Sequence, residues 1–187
     1  MKRKVTLLIT AFLLLLLAAC TKTAAPSLPE ASYPMEFYFS SGAGAWRTEL
    51  ILCSDGSFEG AFIDSDMGIT GPGYPNGTVY TCSFTGRFVP GKPLDMHSYP
   101  LTLTRLNLDR AAGEEWIEDG IRYISSDPYG LEGGTDFVLY DPTTPIFGLD
   151  EELLSWWPGR FSSSPADTLS HWALWNVDAG TAFFAYL

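Results

Sequence analysis

From Glu36 onward the chain repeats one pattern: short runs in which apolar and polar residues alternate with period two, each broken by Gly, Pro, Asp or Asn. Period two is the spacing of side chains on one face of a β-strand, so the pattern excludes a helical domain and calls for many short strands. The runs fall at 36–41, 46–53, 57–63, 78–89, 98–106, 115–118, 121–125, 135–140, 170–177 and 181–187. Strands this short, joined by short turns, form antiparallel sheets. With 46% hydrophobic and 14% aromatic residues in 187, the chain carries enough apolar surface for one core and too much for wholesale disorder.

The turns have identifiable chemistry. Ser54-Asp55-Gly56, Glu118-Asp119-Gly120 and Asp178-Ala179-Gly180 each place a glycine where the chain must reverse between two apolar runs. One helix is expected, over 149–157: Asp150, Glu151 and Glu152 suit the positive end of its dipole, and Pro158-Gly159 ends it. Alternation also separates the faces. Trp46, Thr48, Leu50 and Leu52 share one side of their run, and Arg47, Glu49, Ile51 and Cys53 the other. Tyr80, Cys82, Phe84, Gly86 and Phe88 face inward, as do Phe58 and Phe62 on either side of Gly60. One apolar face per strand fits an antiparallel up-and-down β-barrel, or a strongly curled sheet, around a single core.

The N-terminus has its own logic. Lys2, Arg3 and Lys4 precede an apolar run from Val5 to Ala19, shorter than the ~20 residues of a membrane-spanning helix. The run ends in Leu17-Ala18-Ala19-Cys20, which resembles the bacterial lipobox at all four positions. That resemblance implies that residues 1–19 are a lipoprotein signal peptide, that Cys20 carries a diacylglyceryl group, and that the leader is cut just before it. Residues 20–35, rich in Ala, Pro, Ser and Thr, read as the lipidated cysteine and a flexible tether, and 36–187 as a single β-rich domain. The expected location is the extracytoplasmic face of a cell membrane, with a lipid-mediated membrane contact. Loss of the three leader cations deepens the net charge from −11 to −14. A body so acidic lacks the basic patch that nucleic-acid binding requires.

Catalytic and metal motifs fall short. Neither His-Glu-x-x-His nor Gly-x-Ser-x-Gly occurs, and only His97 and His171 offer a neutral base. Glu114-Glu115, Glu118-Asp119 and Asp150-Glu151-Glu152 supply carboxylates that read as surface charge. Residues 86–92, GRFVPGK, match part of a phosphate loop, but Pro93 stands where Ser or Thr should hold magnesium. Asp64-Ser65-Asp66-Met67-Gly68 starts like a calcium loop and then departs from it, with Pro75 at its twelfth position. The expectation is a non-enzymatic protein with no cofactor and no metal. Cys53 and Cys82 lie on opposite faces and are expected to be unbridged.

Two features suggest binding. The Gly- and Pro-rich segment 64–77 is longer than a hairpin requires, and reads as either a lid or a plug over one end of a barrel. The six tryptophans exceed the needs of one small core; Trp172 and Trp175 face opposite ways, and Trp156-Trp157 pack the helix or cap the barrel. Phe37-Tyr38-Phe39 through Trp46, then Leu50 and Leu52 to Asp55-Gly56-Ser57-Phe58 and Gly60, resembles small bacterial lipoproteins with lipocalin-like barrels. Gly44-Ala45-Trp46 is similar to the lipocalin Gly-x-Trp element, although it follows a Gly-rich loop. The chain from Cys20 on also resembles uncharacterised lipoproteins of Gram-positive bacteria. The lipocalin resemblance implies a barrel holding a small apolar or amphiphilic ligand, here lined by Phe58, Phe62, Tyr80, Phe84 and Phe88 with Met67 and Tyr74 at the rim. The alternatives are a module binding carbohydrate or envelope polymer through exposed Trp rings, and an envelope protein-interaction module. Oligomeric state is left open.

Overall fold

The computed structural model describes residues 26–164 and 166–185. The leader, Cys20 and the start of the tether lie outside the described residues. Ten strands form: β1 (Met35–Ser40), β2 (Trp46–Leu52), β3 (Ser57–Asp66), β4 (Thr78–Pro90), β5 (Ser98–Leu108), β6 (Glu115–Glu118), β7 (Ile121–Ser125), β8 (Asp136–Tyr140), β9 (Ala173–Asn176) and β10 (Thr181–Phe184). Each coincides with an alternating run of the sequence. Helix α1 (Glu151–Trp156) is the expected helix, with Asp150 Oδ1 accepting from the Glu152 amide at 2.8 Å as its N-cap.

Eight strands close an antiparallel up-and-down barrel in the order β1-β2-β3-β4-β5-β8-β9-β10, with β10 returning to β1. Among the described residues, Tyr38 aligns with Phe184 where the first and last strands meet. The β6–β7 hairpin stands outside the ring, and β7 pairs parallel with Thr78–Thr81 of β4. A wholly antiparallel sheet is therefore corrected at this one ladder. Its cause is length: β4 meets β5 only from Phe84 onward, so its first residues need another partner.

The interior is filled by the inward faces. Phe37, Phe39, Leu50, Leu52, Leu101, Phe137, Leu139, Leu174 and Phe183 are almost wholly buried there. Burying such a side chain contributes about 1.5–3 kcal/mol. On the β3–β4 ladder Phe58 lies opposite Gly86, and Gly60 opposite Phe84. Each ring lies over the facing glycine, where a Cβ would collide with it. These reciprocal pairs let two bulky rings lie flat against the curving wall.

β8, β9 and β10 are covered on both sides. Val138, Ala173, Trp175, Ala182 and Phe184 face outward into a second core, closed by Leu153, Trp157 and Leu169 of the long β8–β9 connection. Trp157 Nε1 donates to the Leu169 carbonyl at 2.8 Å. Trp156 instead donates to the Gly180 carbonyl and places its ring on Phe39, at the barrel rim. Trp172 packs on the barrel core and Trp175 on the second core, on opposite sides as alternation requires.

One expectation is revised near the N-terminus. Leu28 is only 9% exposed, and Ala31 and Tyr33 pack with it against the barrel core. Residues 28–35 thus belong to the domain and not to a flexible tether; three apolar residues among the Pro and Ser suffice to dock them. Among the described residues no helix is long and apolar enough to cross a membrane.

Candidate functional site

Call the upper end of the barrel the one carrying the β1–β2, β3–β4 and β9–β10 turns. The β7–β8 connection closes it. Leu131 is buried there, and the Gly130 carbonyl accepts from Asn176 Nδ2 and Thr181 Oγ1, both at 2.9 Å. Thr48 Oγ1 donates to the Tyr129 carbonyl at 2.7 Å. Thr48, Asn176 and Thr181 are polar residues buried on strands, and holding this plug explains them. Gly130 adopts φ +96°, and any Cβ there would meet Phe39 and Phe183.

Beside the plug, β2, β3 and β4 rise as a wall. Trp46 aligns with Asp64, and Asp64 with Tyr80, so these three form one row across the wall. Phe62 lies in the row beneath. Between wall and plug lies a cleft of about 420 Å³, lined by Trp46, Phe62, Asp64, Tyr80, Ser126, Asp127, Tyr129 and Glu132. Trp46 and Tyr129 meet edge to face at 4.7 Å, and Tyr129 remains 38% exposed. Burial raises the Glu132 carboxyl above its ordinary value, and the nearby Asp127 charge adds to this; backbone hydrogen bonds at residues 130–132 partly offset both. Glu132 Oε2 and Ser126 Oγ are buried and have no hydrogen-bond partner. Such atoms are costly to leave unpaired.

The sequence-derived lining divides three ways. Phe62 and Tyr80 line this cleft. Phe58, Phe84 and Phe88 do not line an interior pocket: all three are buried, with Phe58 and Phe88 at 4.7 Å and Phe88 on Phe137 at 5.0 Å. Eight strands can enclose either packed side chains or one small ligand; here these rings pack on one another, so the expected interior chamber is corrected to a packed core. Met67 and Tyr74 lie elsewhere. β3 runs on to Asp66, and the loop after it is pinned onto the β6–β7 hairpin. There Asn76 donates from its amide and Nδ2 to the Gly120 and Asp119 carbonyls, and Arg122 sits 4.8 Å over the Tyr74 ring. Met67 is 62% exposed. Asp64 lines the cleft from β3, but the loop after Asp66 lies on the β6–β7 hairpin instead of over the mouth. Asp66 Oδ1 accepts from the Gly68 amide at 2.8 Å, which is turn chemistry.

Sequence reasoning missed Tyr129, Asp127, Glu132 and Ser126. Their segment, SSDPYGLEGG, has the same turn-rich character as 64–77, and its isolated Tyr129 and Leu131 were the available signal. A larger depression of about 630 Å³ crosses the outward faces of β1 to β5. Two of its polar side chains have partners: Tyr38 donates to Glu36 at 3.0 Å, and Glu49 pairs with Arg47 at 2.7 Å. The mouth cleft is the better site because its groups are left over after folding. None of the six tryptophans is fully exposed: Trp157 and Trp175 are buried and the other four half-buried, with Trp46 and Trp156 meeting at 71° and Trp116 stacked on Tyr123. In comparisons with protein families, curated proteins and solved structures, no family model, curated protein or solved structure matches this chain.

Proposed function

We propose that this chain is a lipid-anchored, extracytoplasmic binding protein without catalytic activity, and that it holds a small amphiphilic ligand at the barrel mouth. The observation carrying this reading is the cleft between wall and plug. Four aromatic side chains and two unpaired buried polar atoms meet there, beside the plug at the upper end of a barrel with a packed interior. Apolar walls with a few convergent polar groups are the usual composition of a small-molecule site. The anchor rests on Leu17-Ala18-Ala19-Cys20 and the cationic, apolar leader before it. Two acyl chains would hold the protein firmly where one is marginal.

The test is native mass spectrometry of the full chain, extracted from membranes in an uncharged maltoside detergent. The expected result is a chain beginning at Cys20 with a diacylglyceryl increment, together with a small molecule that is lost on denaturation. A Cys20→Ala variant should lose the increment and the membrane association. An unmodified full-length mass would refute the anchor, and a ligand retained by a Tyr80→Leu, Tyr129→Ala double variant would refute the mouth site.

The exposed rings of Phe147, at 97%, and Phe161, at 79%, favour a second reading in which the β8–β9 connection contacts an envelope protein. Cross-linking in intact cells that Phe147→Ser and Phe161→Ser leave unchanged would dismiss it.

A further inference from the structure

We infer that the mouth cleft selects an organic cation, an amine head group on a compact apolar body; this rests on the mouth-site reading above. Three carboxylates line the cleft, Asp64, Asp127 and Glu132, and no Lys, Arg or His lines it with them. An anion entering would face all three. Four aromatic rings, Trp46, Phe62, Tyr80 and Tyr129, line the same cleft, and the negative quadrupole of an aromatic face attracts a positive charge.

The unpaired atoms point the same way. Glu132 Oε2 is an acceptor without a donor, and Ser126 Oγ has no partner either. An ammonium N–H supplies the donor that Glu132 lacks, with a small rotation of that carboxylate towards the cleft. It also relieves the repulsion between Asp127 and Glu132 and replaces hydration that burial has removed. A neutral hydroxyl could donate to Glu132 but would leave the repulsion with Asp127 in place.

A metal ion is a poorer fit. Among the described residues no three His, Cys, Asp or Glu side chains converge closely enough to hold one. The carboxylates are instead spread around the aromatic faces, which suits a larger and more diffuse cation. The volume of about 420 Å³ falls within the range of small-molecule clefts.

Three probes with the same phenyl body separate the possibilities: 2-phenylethylamine, 2-phenylethanol and phenylacetate. Calorimetric titration of the full chain in maltoside micelles should show the amine binding about tenfold tighter than the alcohol, with no binding of the acid. Glu132→Gln should bring the amine-to-alcohol ratio close to unity, and near-UV circular dichroism would establish that this variant is folded. If alcohol or acid binds as tightly as the amine, and Tyr80→Leu weakens that binding, the cation inference falls and the mouth site stands. If the amine binds equally in wild type, Glu132→Gln and Tyr80→Leu, the mouth site falls as well. Failure of all three probes to bind overturns both.

Discussion

Two glycines in the plug offer a direct test of how it is seated. Gly130 and Gly133 both have positive φ, +96° and +71°, so alanine at either position incurs the left-handed backbone penalty of about 1–2 kcal/mol. They differ in surroundings. At Gly133 nothing lies within 4 Å of an added Cβ. At Gly130 that Cβ would sit 2.7 Å from Phe39 Cδ1 and 2.9 Å from Phe183 Cζ. Neither ring can yield easily. Phe39 is flanked by Trp46, Tyr129, Trp156 and Phe183 at centroid distances of 4.7–5.3 Å. Overpacking a core of this kind costs a further 1–3 kcal/mol or so. Gly130→Ala should therefore destabilise by about 2–5 kcal/mol, and Gly133→Ala by about 1–2 kcal/mol. For a domain of this size each kcal/mol lowers Tm by about 2–4 °C, so thermal melting resolves the gap. Equal losses in the two variants would mean that Gly130 does not rest on Phe39 and Phe183, and the plug would have to be seated differently.

Further outcomes follow from the same structure. Cys53 is exposed while burial pushes the Cys82 thiol up to about 12, so a disulfide reagent should titrate Cys53 quickly and Cys82 only on unfolding; rapid reaction of both would contradict the closed core. Glu132 has its carboxyl raised above the ordinary 4.5, so the folded protein binds this proton more tightly than the unfolded chain. Stability from this group is lost as pH rises from 4.5 towards the raised value, so Glu132→Gln should melt higher than wild type at neutral pH and equal to it below pH 4.5. Melting curves that stay parallel across that range would remove burial as the cause. Trp157→Phe deletes the bond to the Leu169 carbonyl and should cost about 1–3 kcal/mol, with faster proteolysis at 158–168; an unchanged cleavage rate would show that the second core does not depend on that bond.

All ten strands were legible because each obeys a local rule. In β2 and β4 one face is apolar, and the turn at Asp55-Gly56 uses the positive φ of +82° that glycine adopts without strain. What escaped is what the chain decides at long range. β9 and β10 are buried at every position, ALWN and TAFF, and period two cannot say that a helix covers their outer side. The plug is tied by bonds from Thr48, Asn176 and Thr181 to residues 129 and 130, a sequence separation of 46 to 81. Segment 64–77 reads as a lid or a plug because it is longer than a hairpin requires. The hairpin at Asp119-Gly120 captures it through bonds from the Asn76 amide and Nδ2, which no local pattern announces.

The mouth site itself follows from unequal strand lengths. β3 and β4 stay paired as far as Asp66 and Thr78, whereas β5 leaves β4 at Phe84. Six residues of β4 therefore extend beyond its barrel partner, about 20 Å at ~3.3 Å per residue. A wall that tall needs cover on its inner face. The plug supplies it through Tyr129 and Leu131, but its own Gly130 must reach down to Asn176 and Thr181. The plug is thus pulled into the barrel at its centre and stands away from the wall where Asp64 and Tyr80 sit. Folding requires the centre to be packed and leaves that gap open. The inward side chains fill the interior of this particular barrel, so the proposed ligand would be read by the side chains lining the gap. Those are rings and carboxylates.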